Sequence, residues 1–330
     1  MVAFITNETA LEFWRQHRRS RKSHTYSTCK RKLPCQSPTA YELRNGQAWG
    51  LTLPLDILVC AQSAKRPSKA VRPHVCSKPL PSGAFVNAGN GLYVSSPEFC
   101  FFQMAGEYSL AKLIALGIEL CGTYSLLDKR TMCDKRGDKH GSTYDQAQYN
   151  LSNLTNKKKL QAFAARMGGW SGQRQCLNAL RYISDGSGSP METILFMLLT
   201  LPHRHGGYGL PMPELNGCVY PKKGGLPFAG RSFYRGDLLW RDAGVVVEYN
   251  SDIIHANASS IANDAIRRND LALYGIFEVT VTKEQIKSMV LFDKVARQIA
   301  SGIGKKLRYK NPGFLEARRE LRNAILFTHF

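Results

Sequence analysis

Residues 232 to 251 hold two apolar runs, each carrying one acid, around the turn-forming segment Arg241-Asp242-Ala243-Gly244. The spacing predicts strands from Ser232 to Trp240 and from Val245 to Ser251, joined as a hairpin. If the turn centres between Asp242 and Ala243, Asp237 lies directly across from Glu248, with Cβ atoms about 5 Å apart. The period of two then places Arg235 opposite Asn250 on the same face. Facing carboxylates repel, and a fold keeps them mainly where something positive sits between them. A hard divalent cation does this, taking carboxylate oxygens while retaining waters. Two other readings stay open: two solvated acids on an exposed face, or a register shifted by one residue, which would separate them.

The remaining periodicities give an α/β chain. In the first half, Leu-Asp-Ile-Leu-Val from Leu55 and Arg-Pro-His-Val from Arg72 read as strands, and a Gly-Asn turn joins two more. Ser96-Pro97 starts a helix, with further helices over Leu110 to Cys121, Lys158 to Met167 and Cys176 to Ile183. Asp185-Gly186-Ser187-Gly188 has linker composition. After it, Ser189-Pro190-Met191-Glu192 reads as a capping box opening an apolar helix. A strand near Leu215 to Tyr220, the hairpin, a helix over Ser259 to Tyr274, a strand over Ile276 to Thr282 and a helix from Lys283 to Ile303 complete an αβββαβ order with a mixed sheet. The expected organisation is a basic segment over 1–45, a smaller α+β domain over 46–184, a linker over 185–189, an α/β domain over 190–303 and a basic C-terminal helix over 304–330.

Charge points to a polyanion. The 330 residues carry 45 Lys and Arg against 25 Asp and Glu, a net +20. Half of the excess lies in residues 1–80, and the run from Arg15 to Lys32 has no acid. Arg18, Arg19, Arg21 and Lys22 there, with Lys305 and Lys306 near the other end, are candidate phosphate contacts, salt-dependent and blind to sequence. A basic run that only aids solubility is the alternative. Arg318, Arg319 and Arg322 share one side of the last helix. The longest apolar run falls far short of the ~20 residues that span a bilayer, and no signal segment opens the chain; a cytoplasmic protein without membrane contact is expected. Nine cysteines without a CxxC pair fit neither a disulfide framework nor a zinc site and read as reduced thiols, mostly in the core.

Arg-Gly-Asp237-Leu-Leu-Trp, Val-Val-Val-Glu248-Tyr-Asn-Ser-Asp-Ile-Ile-His255 and Asp264-Ala-Ile-Arg-Arg-Asn-Asp-Leu-Ala-Leu-Tyr-Gly resemble the PD-(D/E)XK nuclease superfamily. The nearest branch in pattern is the bacterial group similar to very-short-patch-repair endonucleases, over roughly residues 189–300. The resemblance implies a restriction-endonuclease-like core and Mg²⁺ or Mn²⁺ held by Asp237 and Glu248, with the Tyr249 carbonyl as a further ligand. It implies Glu192 as an outer-sphere acid orienting a metal water, and His255 as a base or phosphate contact. Asp264, Arg267 and Arg268 then lie on a helix beside the site. Capping alone also accounts for Glu192, and helix pairing alone for Asp264 with Arg268. Asn250 departs from the pattern, standing where the superfamily often has lysine and this branch has aspartate. An amide can ligate through oxygen but brings neither charge nor basicity. Arg235, across the hairpin, is expected to supply the missing positive charge.

In the first half, Trp49-Gly50-Leu-Thr-Leu-Pro54, the histidine of Arg-Pro-His-Val, and Val-Ser-Ser96-Pro97-Glu98 resemble the C-terminal region of AbiEi-type antitoxins. The clear winged-helix domain that usually opens that family does not show in residues 1–40. The combination implies DNA in preference to RNA as partner, a setting in phage defence, and a cognate toxin or a second copy of the chain as protein partner. The alternative function is a non-catalytic nucleic-acid-binding or antitoxin-like transcriptional regulator.

Overall fold

The computed structural model describes residues 2–20, 26–29, 32–45, 47–127, 146–221, 228, 232–250, 258–308 and 313–327. Arg21, Lys22 and His255 lie outside them. The chain divides into two compact units, Met1–Ile183 and Ser184–Thr328, each mixing helices with a mixed sheet.

The first unit contains β1 (Ala3–Ile5), α1 (Asn7–Arg19), β2 (Ser27–Thr28), α2 (Ala40–Asn45), β3 (Leu55–Val59), β4 (Val71–Val75), β5 (Phe85–Gly89) and β6 (Leu92–Ser95). Among the described residues α3 (Pro97–Met104), α4 (Leu110–Cys121), α5 (Lys157–Ala165) and α6 (Gln173–Leu180) follow. Its six strands are ordered β2-β5-β6-β1-β3-β4. Residues 1–45 were expected to be a basic segment outside this unit, and the unit was expected to be the smaller one. Both expectations fail for one reason. Phe4 and Ile5 are buried in a strand that pairs in parallel with β6 and antiparallel with β3, so the N-terminus is the middle of the sheet. Three apolar residues are too short a run for alternation to betray a strand.

Helix α1 also draws the basic run inward. Arg15 is buried, donating from Nε and Nη2 to the Glu119 carboxylate at 3.0 and 2.7 Å. Arg18, 7% exposed, donates to the backbone carbonyls of Glu119, Gly122, Tyr124 and Ser152 at 2.7–3.2 Å. Three of those carbonyls lie at or just past the C-terminus of α4, where helix carbonyls have no partner of their own and a cation is favoured. Arg18 is therefore a structural cap and not a phosphate contact. Arg19 is half-buried and donates to the Gln146 carbonyl at 2.9 Å.

The second unit runs α7 (Pro190–Thr200), β7 (Glu214–Val219), β8 (Tyr234–Trp240), β9 (Val245–Asn250), α8 (Ala258–Leu273), β10 (Phe277–Thr282), α9 (Lys283–Lys287), α10 (Met289–Gly302) and α11 (Phe314–Arg322). The sheet order is β10-β9-β8-β7, with β10 parallel to β9 and the rest antiparallel. The single helix expected from Lys283 is two. Thr282 and Gln285 cap α9 reciprocally, and Ser288, in extended conformation, caps α10 through Leu291. Within residues 304–330, expected as a basic C-terminal helix, α11 forms, with two of its arginines turned inward. Arg318 is buried over the Tyr208 and Phe314 rings, donating to the Tyr208 hydroxyl at 2.8 Å and pairing with Asp293 at 3.2 Å. Arg322, also buried, donates to the Ile286 carbonyl. Lys305, Lys306 and Arg319 are exposed.

Of the described cysteines, Cys76, Cys100, Cys121 and Cys176 are buried, whereas Cys29, Cys60 and Cys218 are half-buried and Cys35 is exposed. Among the described residues no helix is long and apolar enough to cross a membrane.

Candidate active site

The hairpin forms with the expected register near its turn: Trp240 pairs with Val245, Leu239 with Val246 and Leu238 with Val247. The ladder stops there, one step short of Asp237 and Glu248. The other side of β8 is interrupted at the same residue, with its register unchanged. The β7–β8 ladder passes from Leu215↔Leu238 to Gly217↔Gly236 and skips Asn216 with Asp237. Asn216 has a φ of 52°, a left-handed conformation that Asn tolerates better than most residues.

This irregularity turns the strand over. Tyr234 and Leu239 are an odd number of residues apart, which places side chains on opposite faces of a regular strand. Yet both line one apolar cluster with Phe228, Val246 and Leu271. Beyond Asp237, Tyr234 and Gly236 consequently share a face with Glu248. Gly236 is required there, because a Cβ at that position would collide with Val246 and reach within 3.4 Å of Glu248 Oε1.

Asp237 sits at the divergence. Its Oδ2 accepts the backbone N–H of Tyr249 at 2.7 Å, beyond the last paired residues of the β8–β9 ladder. On β9, Glu248 Oε1 accepts the Tyr234 hydroxyl. The two acids are thus not a direct cross-strand pair, but they remain close enough to act on one another. Burial, then the charges of Glu248 and Glu192, push the Asp237 carboxyl up to about 8. Burial pushes Glu248 up to about 7, opposed by the Tyr234 bond and the Arg267 charge.

Glu192 joins this group from α7. Ser189 caps that helix, its Oγ accepting the Glu192 N–H at 3.1 Å, with Pro190 in the first turn. The reciprocal half of the expected capping box does not form. Glu192 Oε2 instead accepts from the Gly188 N–H and from Asn216 Nδ2, both at 2.7 Å. Glu192 is therefore a buried strut between the turn before α7 and the irregular residue of β7. Burial raises its carboxyl, and the Arg235 charge opposes that rise.

Arg235 is exposed and pairs across from Cys218 in β7; Asn250 pairs with Thr282 in β10. The expected Arg235–Asn250 opposition is absent from the ladder, since the strands part before reaching it. Arg235 nevertheless bears on the site through its charge, which also lowers Asp237. Arg267 of α8 is half-buried and pairs with the buried Glu278 at 2.9 Å, so it braces the region beside Glu248. Arg268 is exposed. Tyr234, Asn216 and Glu278 are site residues that sequence reasoning missed. The Asn216-Gly217 dipeptide inside a strand run was the available signal for the first irregularity.

Among the described residues no group of three or more His, Cys, Asp and Glu side chains is placed to hold a metal ion. The acids that converge supply two carboxylates, Asp237 accepting the Tyr249 N–H and Glu248 accepting the Tyr234 hydroxyl and a backbone bond from Asp237. That donor set fits Mg²⁺, which is typically held by one or two carboxylates together with waters and substrate phosphates. It does not form a closed protein cage. Compared with known protein families, curated proteins and solved structures, the chain matches none.

Proposed function

We propose that the second unit is a divalent-metal-dependent nuclease that hydrolyses phosphodiester bonds of DNA on a restriction-endonuclease-like core. The observation that carries this reading is the meeting of Asp237 and Glu248 at a strand divergence, both pushed toward the neutral form by burial, with the charge of Glu248 adding to the shift at Asp237. A fold that assembles unpaired acids in this way gains most when a cation joins them. A bound Mg²⁺ or Mn²⁺ supplies charge for the carboxylates and Lewis acidity toward a phosphodiester.

The chain's own groups do the positioning. The Tyr249 N–H fixes the Asp237 carboxylate, and the Tyr234 hydroxyl with a backbone bond from Asp237 fixes that of Glu248. Glu192, braced by Gly188 and Asn216, adds a third carboxyl whose charge Asp237 feels. Arg235 supplies an exposed positive charge beside them, suited to a phosphate. The test is incubation of the purified chain with plasmid, single-stranded DNA and RNA in Mg²⁺ or Mn²⁺, with Asp237→Ala and Glu248→Ala as controls. Loss of cleavage in both variants supports the reading, and cleavage unchanged in both overturns it.

Asn250 favours a second reading, a non-catalytic nucleic-acid-binding or antitoxin-like regulator, because the position holds neither charge nor base. Its signature is salt-sensitive binding without cleavage in either metal. The phage-defence setting, a cognate toxin and a second copy of the chain belong to the same proposal and rest on the sequence resemblances alone.

A further inference from the structure

Cys35 and Cys60 are far apart in sequence, yet the Cys60 thiol donates to Cys35 Sγ at 3.0 Å. Two independent hydrogen bonds hold the segments together around this contact. The Cys60 N–H donates to the Pro34 carbonyl at 3.1 Å, and the buried Ser37 donates from Oγ to the Ala64 carbonyl at 3.0 Å. Cys60 directly follows β3, so one partner is anchored to the sheet of the first unit. Closing a bond of about 2.05 Å from this starting point asks for a movement of roughly 1 Å. The pair is also reachable, Cys35 being exposed and Cys60 half-buried. The buried thiols differ: burial drives Cys100 far up and Cys176 to about 12, which removes the thiolate that exchange requires.

We propose that Cys35 and Cys60 form an oxidisable pair, a modification site whose co-reactant is a low-molecular-weight disulfide. The Cys35 thiolate attacks one sulfur of that disulfide, forming a mixed disulfide and releasing one thiolate. The Cys60 thiolate then attacks the Cys35 sulfur, forming the Cys35–Cys60 bond and releasing the second thiolate. Two cysteine thiols are oxidised, one external disulfide is reduced to two thiols, and the cysteine protons pass to the released thiolates. The product staples the segment before α2 to the end of β3. This site is independent of the acids in the second unit.

The experiment equilibrates the folded full-length chain with glutathione buffers of increasing oxidised fraction, quenches with acid and maps peptides without reduction. The Cys35–Cys60 cross-linked peptide is expected as the first disulfide to appear, with the intact chain lighter by two hydrogens. Cys35→Ser and Cys60→Ser should each stop at a glutathione adduct on the remaining cysteine. If either variant fails to fold, the map of the unsubstituted chain decides alone. Stable glutathione adducts on both cysteines without the cross-link, or a different pair closing first, would overturn the proposal.

Discussion

The carboxylate of Asp237 accepts the backbone N–H of Tyr249 at 2.7 Å, so one side chain both completes the hairpin and faces the acid on β9. The two roles separate by substitution. Asp237→Asn keeps an acceptor for Tyr249 and removes the charge; cleavage in Mg²⁺ is expected to fall by about 10²-fold or more while thermal stability changes little. Asp237→Ala also orphans the N–H and should cost about 1–3 kcal/mol in chemical denaturation. Equal destabilisation by both variants would show that the charge, and not the hydrogen bond, holds the strand.

Stability should depend on pH in the direction opposite to that of most proteins. Asp237 rises from 3.8 to about 8 and Glu248 from 4.5 to about 7. A raised carboxyl binds its proton more tightly in the folded than in the unfolded chain. Its stabilising contribution is therefore present below the unfolded value and lost as pH rises through the folded one. Without divalent metal, the second unit should melt at falling temperature between about pH 4 and pH 8, with a limiting slope of about 1.4 kcal/mol per pH unit for each carboxyl. Added Mg²⁺ should flatten the upper part of that slope, as should Asp237→Asn combined with Glu248→Gln. Melting curves across pH, with chelator or with metal, decide this.

Tyr234 is expected to act as a positioning residue. Its buried hydroxyl donates to Glu248 Oε1, and burial together with the Glu248 charge drives its own ionisation far up, so it stays a donor at any working pH. Tyr234→Phe removes a hydrogen bond to a charged group, worth about 1.5–3 kcal/mol. The Glu248 carboxyl should titrate at higher pH in the variant, moving the pH–rate midpoint upward and weakening Mg²⁺ activation by about tenfold. A lowered melting temperature with an unmoved midpoint would reduce Tyr234 to a core residue.

The site was legible in the sequence where local rules act alone. Apolar runs flanking Arg241–Gly244 specify the turn and the register up to Leu238↔Val247, and Ser189-Pro190 specifies the helix start that carries Glu192. What could not be read was non-local. The hairpin spacing extends the ladder to Asp237 and Glu248, whereas the observed ladder stops at Leu238↔Val247, beside the left-handed Asn216 of a third strand. The α/β class follows from alternating periods, but β1 is too short for any period and turns out to be central to its sheet. Charge was the least transferable signal. Composition counts Arg15, Arg18, Arg318 and Arg322 as surface cations, whereas each is buried against carbonyls, carboxylates or rings.

That burial divides the basic residues into two experimental classes. Arg18 donates to four carbonyls, and Arg18→Ala would remove one donor from each of them. It should destabilise the first unit by about 3 kcal/mol or more while leaving the salt dependence of nucleic-acid binding untouched. Lys305 and Lys306 are exposed and outside any described helix or strand. Their joint replacement by alanine should leave melting unchanged and reduce the slope of log affinity against log salt by about 1 for each phosphate that the chain no longer neutralises. Fluorescence anisotropy with a labelled oligonucleotide at several salt concentrations measures the slope, and the melting curve of each variant is its control. A slope reduced by Arg18→Ala at temperatures where the variant is fully folded would return that residue to the phosphate-binding surface.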